Sequence, residues 1–274
     1  MKVLIPTNFS PYAEFALGLA KHFGSKMPVE WHAMNVVKAH DDSMIHDDEN
    51  VISQACVEET FPELESKKQE LANWSSSLPG EVVNFVASGE VVNQISAYIR
   101  KYEIDLVIMG TPGAFGAKNL LEGSTAEKIM RVAGVPVLSV KCDRSDLNFS
   151  KLILASDFKE IKQDNLDVLK AIQAVYNSEI YLLNVITKKS FQTTRELKKS
   201  MNEYAKANGL QNFSCHTYAD VSIEEGVAHF ADDQQIDLIS IGNHGYTGLK
   251  FLFKARTSEG IVNHLYKPVL SFKL

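Results

Sequence analysis

The stretch MGTPGAFGAKNLLEGSTA, residues 109–126, decides the fold of this 274-residue chain. It follows the apolar run at 105–109 and leads into the amphipathic run at 125–132, which predict a buried strand and a helix. Between them, glycines and a serine stand at the spacing Gly-x2-Gly-x9-Gly-Ser. This arrangement is typical of a phosphate cradle, because glycine lets N–H groups approach phosphate oxygens and a helix start supplies unpaired donors.

Other phosphate-binding loops and a simple turn are the alternatives to this interpretation. The stretch has no Gly-Lys-Ser/Thr of a Walker loop, and no Gly-x-Gly-x-x-Gly follows the first strand. Ser124 and Glu127 match a capping box, which supports a helix start at this point. A glycine-rich connection that only makes a turn stays open as the structural explanation.

The composition is that of an ordinary globular protein, with 45% hydrophobic and 23% charged residues. A net charge of −6 without Lys/Arg blocks argues against nucleic-acid binding. No apolar run approaches the roughly 20 residues of a membrane helix, and the first apolar run is too short for a signal peptide. Cys56, Cys142 and Cys215 are far apart, which fits a reducing compartment. We therefore expect a cytoplasmic protein without nucleic-acid or membrane partners.

Strand-like and helix-like segments alternate through the first half of the chain. Apolar runs predict strands at residues 2–7, 29–37, 81–87, 105–109 and 136–141. Periodic runs predict helices at residues 11–24, 62–77, 91–100 and 125–132. Ser10 is expected to cap the first helix and Pro11 to open it. This alternation predicts an α/β fold with a parallel sheet covered on both faces.

The second half of the chain repeats the first. LILASD at 152–157 matches the first strand up to Asn8, and IDLISIGNHGYTG at 236–248 matches 104–116. Early matches are offset by 149 residues and late ones by 132, so the second copy is 17 residues shorter, mostly after its second strand. Such an internal repeat indicates two domains, at 1–143 and 149–274, joined by the linker DRSDLNF at 143–149.

The glycine spacing and the repeat together resemble the universal stress protein family in its tandem form. The resemblance covers the whole chain, and the opening PTNFS at 6–10 is similar to the first strand and loop of that family. It implies two Rossmann-like domains of the adenine nucleotide alpha hydrolase type, each a five-stranded parallel sheet in order 3-2-1-4-5. It also implies that the two domains pair through their fifth strands as an intramolecular pseudo-dimer. We expect the strands at 136–141 and 268–273 to pair antiparallel, since both would otherwise be exposed sheet edges. A homodimer as a further assembly stays open.

Ligands of open α/β sheets bind beyond the carboxyl ends of the strands where strand order reverses, here between strands one and four. By resemblance, this site binds ATP or another adenine nucleotide, with Mg²⁺ or Mn²⁺ on the phosphates. Main chain near Val36 and Met109 would hold the adenine, and the loop glycines with Ser124 would hold the phosphates. The full candidate set is Pro6, Thr7, Asn8, Val36, Met109, Gly110, Thr111, Gly113, Gly123, Ser124 and Thr125.

Both copies depart from the family pattern. Asn8 stands where the family usually has aspartate, so the side chain keeps an acceptor, loses the charge and gains donors. The second copy keeps both early loop glycines and Asp157, but Ala255–Arg256 replaces Gly123–Ser124. This favours a degenerate second site, although an arginine could instead recruit phosphate.

Nothing in the sequence argues for a dedicated enzyme. There is no Gly-x-Ser-x-Gly elbow and no His-Glu-x-x-His. The histidines and aspartates at 40–48 are interpreted as a solvated acidic loop rather than a metal cluster, and His244 as a turn residue. The favoured function is nucleotide-dependent regulation in the stress response. The alternatives are a nucleotide-independent interaction scaffold, which Asn8 favours, and a slow ATPase.

Overall fold

A computed structural model describes residues 1–37, 62–112, 125–144, 147–160, 165–188, 192–242 and 266–272. The described residues form two compact units. The first comes from Met1–Pro112 and the described part of Gly123–Ser145, and the second from the described part of Asp146–Leu274. No helix in these ranges combines the length and the apolar character needed to cross a bilayer.

Strands and helices alternate in the first unit, as predicted. They are β1 Lys2–Thr7, α1 Pro11–Gly24, β2 Glu30–Val37, α2 Pro62–Ser75, β3 Val82–Ser88, α3 Val91–Tyr102, β4 Leu106–Gly110, α4 Thr125–Val132 and β5 Val137–Val140. All strand pairs of this unit are parallel, in the order β3-β2-β1-β4-β5. This order is the predicted 3-2-1-4-5, and each element ends within two residues of its predicted bounds.

The second unit repeats this arrangement. Its elements are β6 Lys151–Ala155, α5 Asp167–Tyr176, β7 Glu179–Ile186, α6 Thr194–Ala207, β8 Phe213–Ala219, α7 Ile223–Asp233, β9 Leu238–Gly242 and β10 Val269–Phe272. The order β8-β7-β6-β9-β10, again parallel, is the same as in the first unit. Residues 38–81 separate β2 from β3, whereas only 187–212 separate β7 from β8, so the length difference lies after the second strand, as predicted.

The repeat extends to single hydrogen bonds. Asp105 Oδ2, just before β4, accepts from the Lys2 main-chain N–H at 2.7 Å. Asp237, just before β9, accepts from the Lys151 main-chain N–H at 3.1 Å. Each carboxylate therefore ties the first strand of its unit to the fourth, and the two pairs are offset by the same 149 and 132 residues as the sequence matches.

Helix α1 covers the sheet of the first unit. Pro11 opens the helix, and the apolar residues at helical spacing Ala16, Leu19, Ala20 and Phe23 are almost wholly buried. Ser10 occupies the N-cap position, but its side chain makes no capping hydrogen bond. Its carbonyl instead accepts from the Ala13 N–H at 2.9 Å. Ser10 therefore stands at the predicted cap position without making the side-chain hydrogen bond of a cap.

Each unit packs three rings between its second strand, its third strand and the helix that follows. The rings are His32, Phe85 and Tyr98 in the first unit and Tyr181, His216 and Phe230 in the second. Centroids lie 5.7 Å apart for His32–Tyr98 and 4.8 Å apart for Tyr181–His216. Both sets contain one histidine, one tyrosine and one phenylalanine at equivalent positions, in permuted order. The two clusters therefore contain the same three side chains, but their polar atoms lie on different elements in the two units.

Burial of His32 makes stability depend on pH. Its Nδ1 lies 2.9 Å from the Tyr98 hydroxyl and its Nε2 3.2 Å from Glu30 Oε1, with Tyr102 and Lys2 also close. Desolvation lowers the pKa of His32, although Glu30 opposes the shift. Since the fold favours the neutral ring, this contribution to stability is complete above the unfolded pKa, near 6.5, and is lost as pH falls below it.

We expect the free energy of unfolding from urea titration to be lower at about pH 5.5 than at about pH 7.5, because the unfolded chain binds protons on His32 and His216 more readily than the folded chain does. His32→Phe should reduce this difference. Part of it should remain, because burial also lowers the pKa of His216. The same pH dependence in wild type and in His32→Phe would contradict the assignment to His32.

Candidate functional site

The described part of the candidate site lies at the carboxyl ends of β1 and β4. Leu4 pairs with Val107, so the strand ends at Thr7 and Gly110 lie at the same edge of the sheet. Strand order reverses here, because the chain adds β2 on one side of β1 and β5 on the far side of β4. A parallel sheet has its crevice at such a point.

A tight turn follows β1, and three of its oxygens accept hydrogen bonds from the chain itself. Thr7 Oγ1 accepts from the Phe9 N–H at 3.0 Å, and Asn8 Oδ1 accepts from the Ser10 N–H at 3.2 Å. The Thr7 carbonyl accepts from Asn35 Nδ2 at 2.7 Å, in buried surroundings. Phe9 has a φ of 58°, in the left-handed region that side chains rarely adopt. The turn is therefore closely specified.

The Phe9 ring anchors this turn to α2. It meets the Trp74 ring edge-on with centroids 6.3 Å apart, and Lys67 Nζ lies 5.1 Å from the Phe9 centroid. Trp74 Nε1 donates to Glu14 Oε1 of α1 at 2.5 Å. Sequence reasoning missed Phe9. The signal that could have found it is Phe158, 149 residues further on, which also has a positive φ, of 50°.

The turn after β6 in the second unit has the same hydrogen bonds. Ser156 Oγ accepts from the Phe158 N–H at 3.3 Å, and Asp157 Oδ1 accepts from the Lys159 N–H at 3.2 Å. Asn184 Nδ2 donates to the Ser156 carbonyl at 3.2 Å. Asp157 Oδ2 also lies 3.6 Å from Lys159 Nζ. The same type of turn therefore follows the first strand in both units. The residue directly after that strand is Asn8 in the first unit and Asp157 in the second.

The predicted adenine-binding edge of β2 runs past β1. Their pairing ends at Thr7 with Asn35, whereas β2 continues to Val37 along β3. The Val37 carbonyl accepts from the Gly89 N–H, on the β3 side. Since main-chain groups alternate in direction along a strand, those of half-buried Val36 face β1. The next donor on that side would be the Phe9 N–H, which turns to Thr7 Oγ1 instead. The Val36 carbonyl therefore faces the crevice without a donor from β1.

The end of β4 is packed tightly against α1. A Cβ at Gly110 would lie 1.8 Å from the Tyr12 carbonyl oxygen, so only glycine fits. Met109 and Thr111 are buried, and the Thr111 N–H donates to the Val140 carbonyl at 2.9 Å. The glycine that we predicted for phosphate binding is thus required by helix packing, whether or not a ligand binds.

The remaining predicted residues are placed as follows. Pro6 is half-buried and pairs with Met34, and Thr125 is the exposed first residue of α4. Glu127 is buried and pairs with Arg131 one turn later. Several predicted residues lie outside the described ranges: Gly113, Gly123, Ser124, His244, Ala255, Arg256 and the acidic stretch at 40–48. The capping box and the phosphate end of the site therefore stay predictions.

The oxygen atoms of the turn after β1 are poor ligands for Mg²⁺ or Mn²⁺. The oxygens are the Thr7 carbonyl and hydroxyl and the Asn8 amide, each of which already accepts an N–H, and none is a carboxylate. Hard cations at nucleotide sites are held through carboxylate oxygens and phosphates. Within the described ranges, no three His, Cys, Asp or Glu side chains are grouped to hold a metal. We derive no role for a protein-held metal from these residues.

Two Rossmann-like units, each with a crevice where strand order reverses, define a tandem α/β protein. Within that class, the chain belongs to the universal stress protein family, whose model matches residues 1–141 and 148–273. It is 30% identical to universal stress protein MJ0531 of Methanocaldococcus jannaschii over 146 residues, 51% of this chain and 81% of that protein. It is 27% identical to universal stress protein MJ0577 of the same organism over 155 residues, 46% of this chain and 95% of that protein.

A solved structure of a universal stress protein from Archaeoglobus fulgidus matches the chain over its length. The TM-score is 0.67 at 19% identity, with 99% of this chain and 98% of that chain covered. At this identity the likeness establishes the fold. The predicted family, its tandem form and the α/β fold are therefore confirmed.

Proposed function

We propose that the first unit binds ATP or another adenine nucleotide in the crevice between β1 and β4. The observation that carries this proposal is that the Phe9 N–H donates to Thr7 Oγ1 just beyond the last β1–β2 pair, so β1 supplies no donor to the Val36 carbonyl. A main-chain acceptor suits adenine, whose exocyclic amine is a hydrogen-bond donor. The phosphates would then extend toward the loop after β4, where the glycine and serine spacing supplies donors.

We further propose that the protein is a cytoplasmic regulator in the stress response, in which nucleotide occupancy changes contacts with partners. The turn that would contact the nucleotide is coupled to two helices. Phe9 packs on Trp74 of α2, and Trp74 bonds to Glu14 of α1. A ligand that shifts the turn at Asn8 would therefore shift the surface that α1 and α2 present. A homodimer of such chains stays a prediction.

A nucleotide-independent scaffold is the second candidate. The observation that favours it is Gly110, whose lack of a side chain is fully explained by its contact with Tyr12. Asn8 also lacks the charge of the usual aspartate. Mass spectrometry of small molecules released by denaturing the purified chain separates the candidates. Release of an adenine nucleotide supports the nucleotide-binding function. If no nucleotide is released and calorimetry detects no ATP binding, the scaffold is supported.

Titration calorimetry with ATP should give about one site per chain. Gly123→Val should raise the dissociation constant for ATP by about tenfold or more, which equals a loss of at least about 1.4 kcal/mol of binding free energy. A β-branched side chain would fill the phosphate path at the helix start. The matched control is Ala255→Val, 132 residues further on in the second copy, which should leave the affinity unchanged.

Two outcomes would contradict this binding model. Unchanged ATP affinity in a Gly123→Val variant that keeps the wild-type circular dichroism spectrum would remove the glycine loop from the site. A plateau near two nucleotides per chain would show that Ala255–Arg256 still binds phosphate. In that case Ala255→Val should abolish one of the two sites.

A further inference from the structure

The residue that directly follows the first strand differs between the two units by one atom of its side chain. Asn8 and Asp157 follow the first strand of each unit, and their Oδ1 atoms accept the same main-chain hydrogen bond, from Ser10 and Lys159, at 3.2 Å each. The second terminal atom is an amide nitrogen in Asn8 and a carboxylate oxygen in Asp157. The unit that keeps the phosphate-binding spacing therefore carries a donor where the other carries an acceptor.

The orientation of the Asn8 amide is set by its surroundings. The Ser10 N–H needs an acceptor, so Oδ1 must point to it, and a flipped amide would place two donors face to face. Nδ2 is then the atom left for an outside partner. Within the described ranges, Nδ2 donates no hydrogen bond, and Asn8 is exposed.

The neighbouring oxygens each already accept a hydrogen bond from the chain. The Thr7 carbonyl already accepts from Asn35 Nδ2 at 2.7 Å, and Thr7 Oγ1 already accepts from the Phe9 N–H at 3.0 Å. Glu14, a carboxylate at the start of α1, accepts from Trp74 Nε1. A divalent cation at this turn would meet an amide N–H and oxygens that are already engaged, whereas an oxygen of a ligand would meet a free donor.

We propose that Asn8 makes nucleotide binding by the first unit independent of a divalent cation. Its Nδ2 donates a hydrogen bond to an oxygen of the nucleotide, whereas the carboxylate of an aspartate would need a cation between itself and that oxygen. This inference rests on the proposed nucleotide site. It assigns Asn8 as the residue through which the site binds the metal-free nucleotide as tightly as the metal-bound nucleotide.

The test measures ATP affinity of the full chain by calorimetry, once with Mg²⁺ in excess and once with EDTA. For wild type, the two dissociation constants should agree within about threefold, a difference below about 0.7 kcal/mol. Asn8→Asp puts a carboxylate against the ligand oxygen. It should weaken binding in EDTA by about tenfold or more, and Mg²⁺ should restore most of the loss. Asp157→Asn is the matched control and should change neither value.

Each outcome decides a separate point. No ATP binding by wild type in either buffer would remove the proposed function itself. Binding by wild type that collapses in EDTA would overturn the metal-independence. If wild type binds ATP equally in both buffers and Asn8→Asp has the same two dissociation constants, Asn8 is not the cause of the metal-independence. Thermal melts followed by circular dichroism show whether Asn8→Asp folds like wild type, which we expect because the side chains are isosteric and residue 8 is exposed.

Discussion

Gly110→Ala is expected to destabilise the first unit by about 3 kcal/mol or more, because overpacking against backbone cannot be relieved by a rotamer change. The added Cβ would lie 1.8 Å from the Tyr12 carbonyl oxygen and 2.9 Å from the Ala13 nitrogen. Either β4 or the first turn of α1 would have to move. The chain offers a good probe, since both of its tryptophans, Trp31 and Trp74, lie in the first unit. Urea unfolding followed by tryptophan fluorescence measures the loss.

Gly18→Ala is the matched control for Gly110→Ala. Gly18 lies inside α1, and among the described residues a Cβ there would meet only Asp143 Oδ1, at a relaxed 3.9 Å. Alanine in a helix interior is favoured over glycine, so this variant should be neutral or more stable by up to about 1 kcal/mol. If Gly110→Ala were tolerated as well as Gly18→Ala, the close approach of α1 to β4 would be wrong.

Much of the fold follows from periodicity alone. After Asp105, the run at 106–109 is apolar throughout, as expected for a strand covered on both faces, and the structure has β4 there. In α3, Ile95, Tyr98 and Ile99 stand at helical spacing, and all three are buried. The strand order needed more than periodicity, because apolar runs do not say which strands pair. The family resemblance supplied it.

The site was harder to predict, since several residues have two physical explanations. Gly110 is a glycine both in a phosphate cradle and at a close helix contact, and the sequence does not distinguish these causes. Phe9 carried no turn signal, because aromatic residues seldom have positive φ. Asn35 looked like an ordinary strand residue, yet its side chain holds the Thr7 carbonyl. Comparing the two copies would have flagged Phe9 and Asn35, as both recur at the 149-residue offset.

The recurring phenylalanine leads to the second large effect. Phe158→Ala is expected to cost about 3–5 kcal/mol, the usual range for deleting a fully buried aromatic ring. Phe158 is 1% exposed, and its ring meets the buried Tyr204 ring of α6 edge-on with centroids 5.2 Å apart. Phe9→Ala is the matched variant in the first unit and should cost less, because Phe9 is half-buried and packs on the partly exposed Trp74.

Backbone conformation allows a sharper test at the same position. The φ of 50° at Phe158 persists in Phe158→Ala, so alanine keeps the left-handed strain while losing the ring contacts. Phe158→Gly loses the same contacts without the strain, and should be more stable than Phe158→Ala by about 1 kcal/mol. Urea titrations followed by far-ultraviolet circular dichroism give both free energies. If Phe158→Gly had a lower free energy of unfolding than Phe158→Ala, the left-handed backbone at residue 158 would be wrong. If Phe158→Ala lost no more free energy of unfolding than Phe9→Ala, the burial of the Phe158 ring would be wrong. Both expected differences in free energy are found together only if the side chain of residue 158 is buried and its backbone is left-handed.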